Sequence, residues 1–174
     1  MRSNSGEVLT TVVIIGLAAI LLFIFPMQAM SDKNDTTAQL AVQSLVTTYV
    51  NKIASSGIMT LSDLEILENE LEATGNSYDI EIELRIADKN PGKKKDNQKM
   101  GDTTYYSLYT KQVHEKLKTG TIKLKQGDYI IVKVKNTNTT MSQMFKNLLY
   151  GLTGNESYVI YVQYSSAIGA TENI

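Results

Sequence analysis

The run VLTTVVIIGLAAILLFIF, Val8–Phe25, decides how this chain folds. Its eighteen residues carry no charge, and Thr10 and Thr11 are its only polar side chains. At about 1.5 Å per residue, a helix over this run spans roughly 27 Å, close to the hydrocarbon thickness of a bilayer. Residues after Pro26 can extend it to the ~20 residues that a membrane helix uses. No second run in the sequence is comparable, so we predict one membrane-spanning helix.

The same run can also be a cleaved secretory signal, and its flanks distinguish the two alternatives. A signal peptide has a positive leader, an apolar core of about 7–15 residues and small residues at the cleavage site. Here Arg2 is the only basic residue before the run, and Met27 lies two residues before the best cut, after Ala29. These features favour a retained anchor, with membrane lipid as its partner.

Basic residues near the ends of a span set its orientation. Arg2 precedes the span, whereas two aspartates and one lysine follow it within ten residues of Pro26. This distribution predicts a single-pass protein of the cell membrane, with a cytoplasmic N-terminus and an extracytoplasmic C-terminal part.

Composition limits what that C-terminal part can be. The chain has 174 residues, a formal net charge of −1 and no cysteine, which leaves room for one ordinary domain without disulfides or thiolate metal sites. A near-neutral charge balance argues against nucleic acid as a partner. The sequence contains no phosphate loop, nucleophile elbow, zinc-protease motif or dinucleotide fingerprint. We therefore predict no enzyme activity, catalytic residue, metal, cofactor or small-molecule substrate, and we interpret His114 as a surface residue.

Hydrophobic periodicity predicts the elements of the domain. Apolar residues at three- and four-residue spacing predict helices over 32–56, 60–74, 103–118 and 141–150. Alternation predicts a strand at Tyr78–Ala87, and further strands are predicted over 121–124, 128–135 and 158–164. A lysine-containing polar loop is predicted over 89–102, and a turn with Gly127 at positive φ is predicted between two of the strands.

Several local details follow from the same patterns. Asp32 or Asp35 can cap the first of these helices, and Ser62 with Glu65 has capping-box spacing in the second. Pro26 either kinks one long helix or ends the membrane helix. The apolar side of helix 141–150, with Met144, Phe145 and Leu148, is expected to pack in the core, with a partner or the membrane surface as alternatives.

Together these elements predict an α+β fold. A single N-terminal transmembrane helix continues into an amphipathic stalk helix, followed by a small antiparallel sheet of about four strands with covering helices. The predicted boundaries are 1–30 for the leader and anchor, 31–58 for the stalk helix, 59–165 for the head domain and 166–174 for a flexible tail.

Residues 3–25, SNSGEVLTTVVIIGLAAILLFIF, resemble the N-terminal segment of type IV pilin-like proteins, particularly the small TadE-like pseudopilins. The shared pattern is a short polar leader, a small residue, a glutamate and then an apolar helix. The resemblance covers about the first 30 residues and implies a structural subunit of a surface filament or of a secretion or conjugation apparatus. It also implies other pilin-like subunits as partners, with Gly6 and Glu7 at the position that sets assembly register. In that family a small residue precedes the processed peptide bond, and the glutamate lies several residues beyond that bond. Here the small residue Gly6 directly precedes Glu7, so no processing site is assigned.

The residues themselves leave two interpretations of Glu7 open. The carboxylate can face the headgroups at the helix N-terminus, where the helix dipole favours an anion. Alternatively, a neighbouring subunit supplies its counter-charge, for example through a free amino terminus. Gly16, Ala18 and Ala19 offer small surfaces where membrane helices can approach closely. The alternative function is a monomeric, membrane-tethered extracytoplasmic binding module.

Overall fold

The computed structural model describes residues 5–88, 105–151 and 160–169. The predicted loop over 89–102 lies outside these residues, as do the first residues of the strand predicted over 158–164. The chain divides into two compact units. An N-terminal unit comprises Met1–Thr37 with Thr139–Glu156, and a sheet unit comprises Ala38–Asn138 with Ser157–Ile174.

Helix α1, Ser5–Ser56, is continuous over 52 residues. It passes through Pro26, so the alternative in which this proline ends the membrane helix is wrong. The proline removes one backbone donor and crowds the carbonyl four residues earlier, but the strong helical pattern on both sides maintains the helix. Asp32 and Asp35 therefore lie inside α1 and cap nothing, which corrects the prediction of a separate helix start there.

The C-terminal part of α1 contributes the predicted apolar stripe to the sheet unit. Residues at three- and four-residue spacing are buried there: Ala38, Val42, Val46, Tyr49, Val50 and Ile53. This spacing places them on one side of a helix, as the periodicity predicted.

The sheet unit holds a four-stranded antiparallel sheet in the order β3-β2-β5-β6. Its strands are β2 Tyr78–Ala87, β3 Tyr105–Tyr109, β5 Tyr129–Asn136 and β6 Tyr161–Ala167. A second, two-stranded antiparallel sheet pairs β1, Ile58–Met59, with β4, Ile122–Lys123. The α+β fold class and the antiparallel sheet of four strands are confirmed.

The described residues form three further helices. They are α2 Leu61–Glu72, α3 Thr110–Thr119 and α4 Met141–Tyr150. The predicted cap of α2 is wrong by two residues. Thr60 takes an extended backbone conformation, its hydroxyl accepts a hydrogen bond from the Asp63 N–H at 3.2 Å, and Asp63 accepts from the Thr60 N–H at 3.1 Å. Asp63, one turn into the helix, thus performs the role that we assigned to Glu65.

The core lies on one face of the four-stranded sheet. In β2, Ile82 and Leu84 are buried while Asp79, Glu81 and Arg85 are exposed, as the alternation predicted. Strand β5 pairs with β2 on one side and β6 on the other, so its predicted central position is confirmed. Helical side chains complete the same apolar cluster, among them Val46, Val50, Leu64, Leu67, Val113 and Leu117.

Two predicted boundaries are corrected. The predicted helix over 103–118 begins too early, because Tyr105–Tyr109 form β3 against β2 with Leu108 opposite Leu84. The predicted tail begins too early as well, since β6 continues through Ala167 and the Gly169 N–H donates to the Ala54 carbonyl at 3.0 Å.

The predicted turn before β5 is confirmed. Gly127 has φ of 90°, and the Asp128 N–H donates to the Lys125 carbonyl at 2.9 Å. The strands on either side of the turn, β4 and β5, belong to different sheets.

Side-chain interactions also lie on the exposed face and at one edge of the four-stranded sheet. Lys135 lies between Asp79 and Glu81, at 2.9 Å from a carboxylate oxygen of each. At the edge strand β6, the Gln39 side-chain amide donates to the Tyr161 carbonyl at 2.8 Å and accepts from the Tyr161 N–H at 3.1 Å.

Candidate functional site on the N-terminal helix

The apolar segment of α1 is the largest exposed hydrophobic surface in the described chain. Its most apolar 18-residue window has a mean hydropathy of 3.0, and none of that window is buried. Among the described helices, α1 alone is long and apolar enough to cross a membrane. Burying one such side chain is worth about 1.5–3 kcal/mol, so a surface of this size requires lipid or neighbouring helices around it.

The two threonines of the segment do not disturb its apolar character. The Thr10 hydroxyl donates to the Gly6 carbonyl at 2.9 Å, and the Thr11 hydroxyl donates to the Glu7 carbonyl at 2.8 Å. Because the helix itself satisfies both hydroxyls, the threonines can lie in hydrocarbon without an unpaired donor.

Glu7 lies in the first turn of α1 and is exposed. Among the residues whose side chains the structure describes, none forms a hydrogen bond or ion pair with its carboxylate. The first-turn position is favourable for an anion, because backbone N–H groups point outward at a helix N-terminus. Any partner for this carboxylate therefore comes from outside the residues whose side chains the structure describes.

The five residues predicted for assembly do not form one surface. At about 100° per residue, Ala18 lies within about 20° of Glu7 around the helix axis. Gly16 lies on the opposite side, about 180° from Glu7, and Ala19 lies within about 60° of Gly16. Gly6 lies about 100° from Glu7. The helix thus presents a Glu7–Ala18 side and a Gly16–Ala19 side.

The fold of the chain does not require glycine at either position. A Cβ built on Gly6 or Gly16 meets no atom within 4 Å. Glycine in a helix interior costs about 1 kcal/mol relative to alanine. Among the described residues, none approaches α1 closely enough at Gly16 to need its small size.

A polar cluster joins α1 to α4 within the N-terminal unit. The Thr140 hydroxyl donates to the Asp35 carboxylate at 2.7 Å, the Ser142 hydroxyl donates to Asp32, and the Lys146 ammonium lies 3.1 Å from Asp32. Asp35, Thr140 and Ser142 are buried. The hydrogen bond from Ser142, together with Lys146, holds the pKa of Asp32 below its usual value. The cluster fixes α4 against α1 a short distance beyond the apolar segment.

The opposite side of α4 is exposed, which corrects the expectation that it packs in the core. The exposed fractions are 59% for Met141, 61% for Met144 and 74% for Leu148. Phe145 is half-buried. Core packing fails because the polar side of α4, with Ser142 and Lys146, faces α1 instead.

The sequence patterns missed this cluster. Thr140 and Gln143 form a capping box, with the Gln143 N–H donating to the Thr140 hydroxyl at 3.3 Å, and their T-x-x-Q spacing is visible in the sequence. No local signal links Thr140 to Asp35, since 105 residues separate them.

Several clefts lie elsewhere in the described residues of the sheet unit. One has a volume of about 650 Å³, and its lining includes Lys116, Lys123 and Lys125. His114 is half-buried and lines a smaller cleft of about 190 Å³ with Glu68 and Glu72. Within the described residues, no group of three or more histidine, cysteine or acidic side chains is placed to hold a metal ion.

The chain was also compared with known proteins. No family model, no curated protein and no solved structure matches it.

Proposed function

We propose that this chain is a membrane-anchored, pilin-like or pseudopilin-like structural subunit of a surface filament or of a secretion or conjugation apparatus. It assembles through the apolar segment of α1 with copies of itself or with related subunits. The N-terminus is cytoplasmic and the sheet unit is extracytoplasmic. The observation that carries the proposal is the unburied apolar segment of α1, with a glutamate in its first turn that no described side chain pairs.

Glu7 supports the proposal through its position at the edge of the span. An ionisable group near hydrocarbon is costly unless a counter-charge approaches it. Apolar helices packed side by side gain similar contact area at many staggers, so apolar packing alone does not select one register. A carboxylate that meets a cation, such as a neighbouring amino terminus, at a single stagger selects that register.

The two sides of α1 favour an open-ended assembly over a closed dimer. A symmetric dimer uses one self-complementary patch, whereas filaments use two different patches that meet head to tail. The Glu7–Ala18 side and the Gly16–Ala19 side lie on opposite sides of the helix and differ in chemistry, which suits one neighbour on each side. On the Gly16–Ala19 side, the two small residues permit the backbone of a neighbouring helix to approach closely.

The test compares Glu7→Gln with Glu70→Gln, an exposed glutamate on α2, in the full chain expressed in membranes. Differently tagged copies are co-purified in mild detergent, and particle size is measured by sedimentation. We expect Glu7→Gln to reduce co-purification and large particles at least tenfold without changing the amount in the membrane fraction. Glu70→Gln should behave as the unmodified chain. Equal assembly of the two variants would contradict the proposal.

A monomeric, membrane-tethered binding module is the second candidate. Its support is the outer face of the sheet, where Tyr105, Tyr109 and Tyr161 are exposed by 39%, 61% and 47%. Tyrosines of this kind are common at protein interfaces. A chain that sediments as a monomer at every concentration, and in which Glu7→Gln changes nothing, would favour this second function.

A further inference from the structure

The exposed side of α4 lies close to the end of the apolar segment. Asp32 and Asp35 follow Met30 by two and five residues, or about 3 and 8 Å along the helix axis. The headgroup layer of a bilayer is roughly 5–7 Å thick on each side. With residues 8–30 in the membrane, Asp32 lies at headgroup depth and Asp35 lies at the outer boundary of the headgroup layer. The cluster with Thr140 and Ser142 holds the start of α4 at the same depth.

The order of the contacts gives α4 a direction. Thr140 contacts Asp35, whereas Ser142, further along α4, contacts Asp32, which is nearer the apolar segment. From its first residue α4 therefore runs toward the membrane end of the cluster. The exposed Met144 and Leu148 lie on the part of α4 beyond these contacts.

We propose that α4 is an interfacial helix whose Met141, Met144 and Leu148 side inserts into the boundary between lipid headgroups and acyl chains. The polar side of the helix stays on α1 through Ser142 and Lys146. Amphipathic helices bind this boundary by burying an apolar side to about 5–10 Å. This inference rests on the membrane anchor of the proposed function and is independent of filament assembly.

Lipid fits this surface better than a protein partner does. A stable protein interface uses about 20–30 residues on each side, and the exposed stripe of α4 has three. The residues beside the stripe, Ser142 and Lys146, instead contact Asp32, two residues beyond the exposed apolar segment of α1. Flexible methionines and a leucine adapt to a fluid, non-directional environment.

The chain contains no cysteine, so a single introduced cysteine carries a fluorophore at a defined position. Three full-length variants, Leu148→Cys, Asn147→Cys and Leu22→Cys, are labelled with an NBD fluorophore and reconstituted in phosphatidylcholine vesicles. Nitroxide lipids quench the fluorophore from a shallow or a deep position on the acyl chain. Leu148 and Asn147 are neighbours on α4 that point about 100° apart, and Leu22 reports on the anchor.

We expect shallow nitroxide to quench the Leu148 label at least threefold more than the Asn147 label, and deep nitroxide to quench the Leu22 label. Equal quenching at residues 147 and 148, with Leu22 quenched, would overturn the interfacial helix and leave the anchor intact. An unquenched Leu22 label would overturn both. Because the Glu7→Gln test measures assembly rather than depth, failure of the filament proposal is recognised separately.

A substitution without a label gives a second measurement. Met144→Glu keeps a good helix former and places a charge in the apolar stripe, whereas Asn147→Glu adds the same charge beside it. In vesicles, Met144→Glu should accelerate amide hydrogen exchange in α4 about tenfold relative to Asn147→Glu. Equal exchange in the two variants would overturn the proposal.

Discussion

The hydroxyl of Thr140 donates a 2.7 Å hydrogen bond to the carboxylate of Asp35, a residue 105 positions earlier in the chain. Both residues are buried, with exposed fractions of 2% and 7%. The same Thr140 oxygen accepts the Gln143 N–H as the N-cap of α4. One hydroxyl therefore both starts α4 and attaches it to α1.

Thr140→Ala should destabilise the attachment of α4 more than an ordinary cap loss does. Losing an N-cap costs about 1 kcal/mol, and leaving the buried Asp35 carboxylate short of a donor adds about 1–3 kcal/mol. Amide hydrogen exchange of residues 141–148, measured by mass spectrometry in detergent micelles, should therefore accelerate by about 30-fold or more.

Thr140→Ser and Thr60→Ala serve as controls for that substitution. Serine keeps the hydroxyl and should restore slow exchange in α4. Thr60 caps α2, and its hydroxyl also donates to the Asp63 carboxylate at 2.6 Å. Because Lys52 stays 2.6 Å from that carboxylate, Thr60→Ala should cost only about 1 kcal/mol in α2. If Thr140→Ala destabilises α4 no more than Thr60→Ala destabilises α2, the hydrogen bond to Asp35 contributes little.

The attachment of α4 should weaken in acid. The Ser142 hydrogen bond and Lys146 hold the pKa of Asp32 below the usual ~3.9 of an aspartate, so the charged form is favoured when α4 is attached. The stabilisation is fully present above about pH 4 and is lost as pH falls through the lowered pKa. A spin label at residue 147, in Asn147→Cys, should gain mobility only below about pH 4.

Asp32→Asn removes the titrating group and should remove this acid transition. The Asp32 side chain is 47% exposed and Lys146 49%, so the ion pair is partly screened and high salt should reduce the effect. A transition that persists unchanged in Asp32→Asn would assign it to another carboxylate.

Tyr49→Phe should stabilise the sheet unit. The Tyr49 hydroxyl is buried and has no hydrogen-bond partner among the described residues, which costs about 1–3 kcal/mol relative to a satisfied group. Phenylalanine fills the same space without the hydroxyl, so we expect a gain of about 1 kcal/mol in urea unfolding followed by circular dichroism. Tyr78→Phe is the matched control, because its hydroxyl is 2.6 Å from the Thr74 hydroxyl, and it should lose stability.

Gly127→Ala should destabilise the turn before β5, whereas Gly120→Ala should be tolerated. Gly127 has φ of 90°, a conformation that costs a residue with a Cβ about 1 kcal/mol or more. Gly120 has φ of 164°, which is extended backbone open to any residue, and its Cβ meets no atom within 4 Å. Unfolding midpoints of the two variants should therefore differ, and equal midpoints would show that the turn relaxes.

Much of the fold could be predicted because its signals are local. Alternation in β2 needs no partner to be recognised, and it predicted both the strand bounds and its buried side. Five residues, Tyr105–Tyr109, carried no such signal. Their apolar spacing suits a strand or a helix, and only pairing with β2 makes them a strand.

In the candidate site, too, residues with a local sequence signal could be predicted and residues joined only by the fold could not. The apolar segment and Glu7 could be recognised from the sequence because lipid selects for length and polarity. The role of Asp32 and Asp35 could not, since an aspartate after an apolar run suits a helix cap as well as a tertiary hydrogen bond. Their partner, Thr140, is brought near only by the fold.

The Gln39 side chain also determines what happens at the edge of the sheet. The nitrogen and the oxygen of its amide group both bond to the Tyr161 backbone, where an incoming strand from another molecule could otherwise pair. Edge strands invite such pairing and, through it, aggregation. When many copies are crowded, Gln39 therefore hinders a strand of another molecule from pairing with β6 at Tyr161.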